Sequence, residues 1–564
     1  MSYLLLLCVL QTTFAIISTP LYATEPEEGI VIQENGGSQS IQCGHHCGRH
    51  CGPHCHRSKH RCGTVPYPSN TGNVTPNPIL DSPQVWSFVS APELHPMKVT
   101  VNINKPCQSK GLIFLAPYAF SANAIYGQPG SLILDNEGNP VWFRPLDNAN
   151  LMNTDFRVQT LYGKPVLTFW QGTLVTPPTY TNAPGGSSEP GSCYYILDKS
   201  YKIVKTVKAH KGYISDIHEF LITPDNTALL LSTKMVPMDL TPYGGPENGF
   251  VQDFAVQEID LKTDKLLFFW SALDHIPLTD SFEPASSATE TGNVWDAYHF
   301  NSISITECRN EILLSGRNTW TLYRICKGTG GIIWKLGGKR SDFIIEPEAR
   351  FSWQHDARSL PNDVITLFDD NCCESATIPP ETPPAHGLVL QLDLKEKSAS
   401  LKRSYFHNPN LQVSSEGNVQ TLKNGNRFIG WGQSQYYSEF LPAGNSESDP
   451  AVNMIYDAEM PGSNISYRAY RHRWVGTPHY PPSAAVVLSS GQAVLYASWN
   501  GSTKTHKWQV FAGKCPDRLR KIKTVAKKGF ETAISVASQG PYFKVKALNA
   551  KGKVISVSKV ISLQ

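Results

Sequence analysis

The sequence predicts an all-β protein, a six-bladed β-propeller followed by a small C-terminal β-sandwich of the fibronectin or immunoglobulin type. Three observations lead to this prediction. A strand–turn–strand pattern recurs six times at intervals of 62 to 67 residues, a second hairpin precedes most copies, and helical periodicity is nearly absent over residues 110–480. The six copies begin at Ser131, Tyr194, Val256, Leu322, Val389 and Met454.

The upstream hairpins complete each repeat. Their strands alternate apolar and polar residues around turns such as 224–226 (PDN) and 424–426 (NGN), which are residue types that favour tight turns. Two hairpins make one four-stranded blade, so six repeats predict six blades. The alternative is an irregular β protein with several unrelated sheets. The upstream hairpins begin at Phe156, His218, His299, His355 and Gly417.

The chain divides into four segments. Residues 1–23 carry a short apolar run, typical of a signal peptide for export to the periplasm or the cell exterior. Residues 24–85 are a Cys/His-rich leader and linker, 86–484 the propeller, and 485–564 the sandwich. No later segment approaches the ~20 apolar residues of a membrane-spanning helix. Long loops at 176–191 and 277–293 are candidate lids over one mouth of the channel.

Charge and cysteine content narrow the functional classes. Lys and Arg total 50 against 47 for Asp and Glu, which gives no electrostatic reason to expect a nucleic-acid or anionic-membrane partner. The oligomeric state cannot be read from the sequence. In an oxidising compartment some of the 13 cysteines should pair. Cys308 and Cys326 are plausible partners across neighbouring strands, whereas the adjacent Cys372 and Cys373 are hard to bridge directly.

Three of the upstream hairpins start with, or close to, a histidine, and this recurrence carries the functional prediction. Equivalent strand ends of different blades converge on one end of the channel, so His218, His299 and His355 should meet there. The alternative is that each imidazole only bonds a loop carbonyl in its own blade. Hairpin pairing also predicts three sets of neighbours: Arg317 beside His299, Asp369 and Asp370 beside His355, and Thr233 and Lys234 beside His218.

A guanidinium beside clustered imidazoles is typical of a site for an oxyanion such as sulfate, phosphate or carboxylate, because its planar fork binds two oxygens at once. The alternative is that Arg317 only forms a salt bridge at the protein surface. Three histidines also permit a zinc site. An inward-pointing Arg317 would argue against zinc, since the guanidinium would repel the metal.

A second group of candidate ligands lies in the leader. Residues 43–63 (CGHHCGRHCGPHCHRSKHRCG) repeat a Cys-Gly-x-His period at a density that suits Zn, Cu or Ni. The alternative is a leader that is disordered or cross-linked by disulfides. A transition metal there would be the only cofactor, and its candidate ligands are Cys43, Cys47, Cys51, Cys55, His46, His50 and His54.

Several segments carry a family resemblance. They are residues 298–305 (YHFNSISI), 315–325 (SGRNTWTLYRI), 333–343 (IWKLGGKRSDF), 351–370 (FSWQHDARSLPNDVITLFDD) and 417–420 (GNVQ). Together they resemble the second arylsulfotransferase-like family, which is related to the bacterial aryl-sulfate sulfotransferases. The likeness extends from about Trp86 to the C-terminus, including residues 498–501 (SWNG) and 530–534 (FETAI).

The resemblance implies sulfuryl transfer from an aryl sulfate to a phenol through a sulfohistidine, with no phosphoadenosine cofactor. It implies that His355 is the nucleophile, that His299 and Arg317 hold sulfuryl oxygens, and that His218 is the remaining histidine of the site. Asn318 follows Arg317 where the resemblance implies a histidine. The alternative, from another functional class, is a non-catalytic extracytoplasmic propeller that holds an anionic ligand in its channel.

Overall fold

The structure is a computed structural model that describes residues 78–119, 125–146, 151–173, 191–372, 383–489, 492–537 and 540–563. Within these ranges the regular structure consists of strands and four short 3₁₀ helices, so the prediction of an all-β protein is confirmed. The 3₁₀ helices are Thr241–Tyr243, Leu278–Asp280, Ala285–Glu290 and Pro347–Ala349.

The first half of the chain begins with one strand that joins a later sheet and then builds three sheets in sequence. The strands are β1 (Thr100–Asn104), β2 (Leu112–Leu115), β3 (Gly130–Leu134), β4 (Pro140–Pro145), β5 (Met152–Leu161), β6 (Lys164–Gly172), β7 (Cys193–Leu197), β8 (Ile203–Val207), β9 (Ile214–Ile222), β10 (Thr227–Met238), β11 (Gly249–Asp260), β12 (Leu266–Ser271) and β13 (Val294–Trp295).

Three more sheets follow in the same way, each built from consecutive antiparallel strands. Their strands are β14 (Phe300–Ile305), β15 (Glu311–Gly316), β16 (Thr321–Cys326), β17 (Ile332–Gly337), β18 (Ile344–Ile345), β19 (His355–Leu360), β20 (Val364–Asp369), β21 (His386–Asp393), β22 (Ser398–Phe406), β23 (Asn418–Thr421), β24 (Arg427–Gly430), β25 (Tyr436–Phe440), β26 (Met454–Glu459) and β27 (Tyr470–His472).

The strand order shows how these six sheets are assembled. Five of them start with β5, β9, β14, β19 and β23, each followed by its next three strands. The sixth has the order β27-β2-β3-β4, so a strand from the end of this region completes a sheet from its beginning. Five of the six copies predicted from the sequence supply β3, β7, β11, β16 and β21, the third strand of each sheet, whereas the sixth supplies β26, the fourth strand of its sheet.

The first strands of the six sheets contact one another in a closed series. Strand β5 contacts β9, β9 contacts β14, β14 contacts β19, and β19 contacts β23; β27 contacts β5 and also β24, the neighbour of β23. Apolar side chains of adjacent sheets pack between them, as Leu229 and Val256 of one sheet do with Phe300 and Leu314 of the next. The first strands therefore surround a common centre.

The C-terminal region forms two further sheets on one shared core. Their strands are β28 (Ser483–Ser489), β29 (Gln492–Ser498), β30 (Lys507–Gly513), β31 (Arg520–Ala526), β32 (Glu531–Val536), β33 (Tyr542–Leu548), β34 (Val554–Val557) and β35 (Ile561–Ser562). One sheet has the order β28-β29-β32 and the other β31-β30-β33-β34, with β35 also on β33. Trp508, Leu495 and Phe543 lie in the core that the two sheets share.

Three expectations from the sequence have different outcomes here. The pairing of Cys308 with Cys326 is wrong: Cys308 carries a free, exposed thiol in the turn after β14, while the residue opposite Cys326 is Glu311. The loop 277–293 is structured by two 3₁₀ helices. The predicted signal peptide, the leader and most of the loop 176–191 lie outside the described residues. Among the residues that are described, no helix is long and apolar enough to cross a membrane.

Candidate functional site

The candidate site lies where first strands of neighbouring sheets approach one another. His218 lies within β9, His299 immediately precedes β14, and His355 is the first residue of β19. The imidazoles of His218 and His299 are 4.9 Å apart between ring centroids and meet edge to face. The side chain of His355 is 1% exposed, and the proximity of Arg317, His299 and His218 contributes to lowering its pKa. The structure thus gathers the three histidines and Arg317.

Each of the three imidazoles has its Nδ1 atom bound to a carboxylate. The distances are 2.5 Å from His218 to Asp216, 2.5 Å from His299 to Asp296, and 2.6 Å from His355 to Asp370. A carboxylate at Nδ1 fixes the ring orientation and places the proton there, so Nε2 carries the lone pair. The same histidine–carboxylate pair therefore occurs in all three sheets.

His355 has a second contact that supports this tautomer. The backbone N–H of Glu416 donates to Nε2 of His355 over 3.3 Å, which requires a lone pair on that nitrogen. Burial and the positive charge of Arg317 hold the pKa of His355 well below its usual range. Burial also lowers the pKa of His218. His355 is therefore neutral near pH 7, and at 3.3 Å its lone pair is only weakly engaged.

Arg317 is the cation of the site. Its guanidinium lies 4.7 Å from the ring centroid of Trp353, donates to the carbonyl of Ser414 over 3.0 Å, and donates to Oδ1 of Asn318 over 2.9 Å. Its Nε is buried, and none of the described residues accepts a hydrogen bond from it. The stacking and two anchored nitrogens orient the side chain, while Nε retains an unused donor.

The hairpin arguments are correct for two histidines and wrong for the third. The N–H of Arg317 donates to the carbonyl of His299 over 3.0 Å, and Asp370 binds His355 as stated above. Thr233, however, lies opposite Ile214 rather than His218. Strand β9 begins four residues before His218 and its register with β10 shifts between residues 215 and 220, so the predicted proximity to Thr233 and Lys234 is lost.

Of the two metal sites considered from the sequence, the one at the three histidines lies within the described residues. Among the described residues, no group of three or more His, Cys, Asp or Glu side chains has the arrangement of a metal site. Arg317 lies beside the histidines, because its backbone N–H donates to the carbonyl of His299 and its guanidinium packs on Trp353, two residues before His355. The candidate ligands Cys43, Cys47, Cys51, Cys55, His46, His50 and His54 lie outside the described residues.

Sequence reasoning missed Asp216 and Asp296, described above, and also Glu416, Tyr118 and Tyr467. Glu416 is 5% exposed and its carboxylate accepts a hydrogen bond from the Tyr118 hydroxyl. Tyr467 packs edge to face on His218 with centroids 5.6 Å apart. Glu416 stands directly before Gly417, where the hairpin of its sheet begins, so it holds nearly the same place in its repeat as the histidines do in theirs. This position in the repeat is the sequence feature that could have identified Glu416 as a residue of the site.

Two residues of the site have an uncommon backbone conformation. His299 and Glu416 have positive φ angles of 47° and 75°, which non-glycine residues rarely adopt. Such strain persists only where surrounding structure enforces it, and it is concentrated at functional sites. Both residues lie just before the first strand of a sheet.

A separate network of buried charges lies next to the histidines. It pairs Arg157, Arg358 and Arg468 with Asp155, Glu219 and Asp356. Along β19 the order is His355, Asp356, Arg358, Leu360, and the last three line a cavity of about 730 Å³. The network therefore lies between the histidines and that cavity. Another cavity, of about 850 Å³, is lined by Trp320, which packs against Trp353.

The model of a family described as arylsulfotransferase (ASST) matches residues 157–446, which include all three histidines and Arg317. No curated protein matches the chain.

Several solved structures align with low identity. A protein of unknown function from Bacteroides caccae is 12% identical, with a TM-score of 0.35, over 64% of this chain and 100% of its own. TolB from Acinetobacter baumannii is 10% identical, with a TM-score of 0.30, over 64% and 66%. An inactive variant of virginiamycin B lyase from Staphylococcus aureus with quinupristin is 7% identical, with a TM-score of 0.31, over 72% and 97%.

Proposed function

Because the chain belongs to the arylsulfotransferase family, we propose that it moves a sulfuryl group from an aryl sulfate to a phenol through a sulfohistidine on His355. The observation that carries the proposal is the state of His355: a neutral imidazole with a weakly engaged Nε2 lone pair, close to a guanidinium and two further histidines. A neutral imidazole is a competent nucleophile, and the neighbouring guanidinium suits the oxygens of the transferred group.

In the first half-reaction Nε2 of His355 attacks the sulfur atom of the donor. The N–S bond forms, the bond between sulfur and the aryl oxygen breaks, and the phenolate takes up a proton as it leaves. Asp370 at Nδ1 supports the charge that develops on the ring. The guanidinium of Arg317 binds the sulfuryl oxygens, so charge that accumulates on them is stabilised.

In the second half-reaction the acceptor phenol gives up its proton and attacks the same sulfur atom. The N–S bond breaks and the neutral imidazole of His355 is regenerated. The sulfuryl group is supplied by the donor and carried by His355, so we propose that the transfer uses no cofactor. A metal on the Cys/His-rich leader would be independent of this chemistry.

The finer architecture belongs to the same proposal. Six sheets whose first strands contact one another in a closed series are best explained as six blades of a β-propeller, with a C-terminal β-sandwich attached. The Ser90 hydroxyl donates to the Glu531 carboxylate over 2.5 Å, and the Asn500 side chain pairs with the backbone of Phe143; these contacts fasten the sandwich to the blades. We propose that the protein acts outside the cytoplasm, after removal of residues 1–23.

The test compares phenol release from phenyl sulfate by the wild type, His355→Ala and His407→Ala. His407 is a matched control, because it is also buried and paired with a carboxylate, Asp457, at 3.1 Å, but lies outside the cluster. We expect turnover in the wild type and His407→Ala, and none in His355→Ala. Equal release from wild type and His355→Ala would contradict the proposal. Sulfate binding without release would support an anion-binding propeller instead.

A further inference from the structure

Transfer between phenols requires a group that gives a proton to the departing oxygen and takes one from the acceptor. His355 is itself the proposed nucleophile, and the Nδ1 protons of His218 and His299 are held by Asp216 and Asp296, so neither Nε2 carries a proton for the departing oxygen. Moreover, burial lowers the pKa of His218, so it is neutral near pH 7 and has no spare proton.

Glu416 has the properties that the histidines lack. Its backbone N–H donates to Nε2 of His355 over 3.3 Å, so Glu416 lies directly beside the proposed nucleophile. One carboxyl oxygen accepts the hydrogen bond of Tyr118, and the other, Oε2, is buried with no hydrogen-bond partner among the described residues. A buried carboxyl oxygen left without a partner is costly when ionised and is the natural position of a proton.

The surroundings of Glu416 agree with a protonated side chain. Its charged form would interact unfavourably with Asp370, and its charge also bears on the hydroxyls of Tyr118 and Tyr467. Tyr467 in turn packs on His218. The carboxyl group is thus enclosed by residues of the site, and burial raises the pKa of Glu416 to about 8.

Building on the proposed function, we propose that Glu416 is a further catalytic residue, the acid and base that exchanges the phenol proton. In the first half-reaction the Glu416 carboxyl donates its proton to the aryl oxygen as the S–O bond breaks, which leaves a carboxylate and a neutral phenol. In the second, this carboxylate accepts the proton of the acceptor phenol as its oxygen attacks sulfur. The carboxyl is restored, and no other reactant is consumed.

The experiment compares two sulfate donors whose leaving groups differ in their need for a proton. Phenolate is a poor leaving group and needs protonation, whereas 4-nitrophenolate leaves without it. General acid catalysis contributes about 100- to 10,000-fold. Glu416→Gln should therefore lose at least about 100-fold in the single-turnover rate with phenyl sulfate and less than about 10-fold with 4-nitrophenyl sulfate. A loss of equal size with both donors would overturn the proposal.

Glu439→Gln is the matched control, because Glu439 is another buried carboxyl with a raised pKa and is far from the cluster in its own sheet, beside Arg471. Any effect of this variant should be the same with both donors. If the wild type forms no sulfuryl adduct at all, the proposed function fails. If it forms the adduct but Glu416→Gln shows no dependence on the donor, only the role of Glu416 fails.

The pH profile gives a second readout. In the wild type, the rate with phenyl sulfate should fall as the pH rises through about 8, because the acid is then ionised. That limb should be absent from Glu416→Gln. Tyr118→Phe should move it upward, since the Tyr118 hydrogen bond lowers the pKa of Glu416. An unchanged limb in Glu416→Gln would assign it to another of the facing groups, Tyr118, Tyr467, Asp370 or His355, and contradict the proposal.

Discussion

The histidine cluster and the charge network both lie on the first strands of the sheets, but the partners of their guanidinium groups differ. In the network three guanidinium groups face three carboxylates, and Arg468 alone contacts Asp155, Glu219 and Asp356. In the cluster the cation Arg317 contacts neutral acceptors, Ser414 and Asn318, and its Nε has no described acceptor. The charges of the network are paired with one another, whereas the guanidinium of Arg317 forms no ion pair with a carboxylate of the described residues.

This difference separates a structural polar cluster from a functional one. Buried charges that neutralise each other hold strands together but offer nothing to a ligand. Buried donors without partners carry a cost in the empty protein that an anionic ligand would relieve. The adjacent residues His355 and Asp356 belong one to each cluster, at a point where the register of β19 with β20 shifts and Asp356 has a positive φ of 55°.

The largest effect is expected on the stability of the network. Burial alone would raise the pKa of Glu219, but the guanidiniums of Arg358, Arg157 and Arg468 lower it to about 2. Glu219→Gln leaves three guanidiniums with two carboxylates, so the free energy of unfolding should fall by about 3 to 5 kcal/mol, measured by urea denaturation at pH 7. Sulfuryl transfer per folded molecule should change by less than about 10-fold, well below an effect on a catalytic group.

Asp264→Asn is the control for that experiment. Asp264 pairs with Lys205 at 2.6 Å, but its side chain is 66% exposed, so the loss should be under about 1 kcal/mol. Because the pKa of Glu219 is depressed, its contribution to stability is present above the usual pKa of a glutamate and is lost as the pH falls toward 2. A stable Glu219→Gln protein with abolished transfer would reverse the assignment of the two clusters.

The opposite pattern is expected for Arg317. Arg317→Met removes the donors of the sulfuryl oxygens, and the transfer rate should fall by about 100- to 1,000-fold. The midpoint of thermal unfolding should fall less than in Glu219→Gln, because Arg317 forms no ion pair and Asp370 and Asp296 keep their bonds to His355 and His299. Arg317→Lys retains the charge without the planar fork, and its rate should be intermediate. A loss of stability without loss of rate would show that Arg317 belongs to the scaffold.

The sequence was sufficient for the parts of the site that repeat. Histidines at matched positions of successive hairpins predicted that His218, His299 and His355 meet, and hairpin pairing predicted Asp370 beside His355. The neighbours of His218 were not predictable, because the register shift in β9 leaves no mark in the residue pattern. Glu416 occurs only once at its position and has no recurrence to reveal it.

The charge network could not be predicted from the sequence either. Its members Asp155, Glu219, Asp356 and Arg468 come from four different segments, and each reads as an ordinary charged residue until the strands are assembled. The pairing of Cys308 with Cys326 failed for a related reason, since turn residues and strand residues cannot be distinguished by spacing alone.

The smallest effect concerns the pH dependence of the nucleophile. Burial and Arg317 hold the pKa of His355 well below 6.5, so the imidazole stays neutral as the medium becomes mildly acidic. With 4-nitrophenyl sulfate, which needs no acid, the single-turnover rate should be the same at pH 8 and at about pH 6, where an ordinary histidine would be largely protonated. A rate that halves near pH 6.5 would show that His355 is not protected in this way.

The most direct measurement is the mass of the peptide that contains His355 after the protein is mixed with phenyl sulfate in the absence of acceptor and quenched in alkali. We predict a mass increase equal to one SO₃ group, located on His355 by fragmentation and removed when a phenol is added before the quench. An unmodified His355 in a protein that nevertheless releases phenol, or the same group on another residue, would contradict the account.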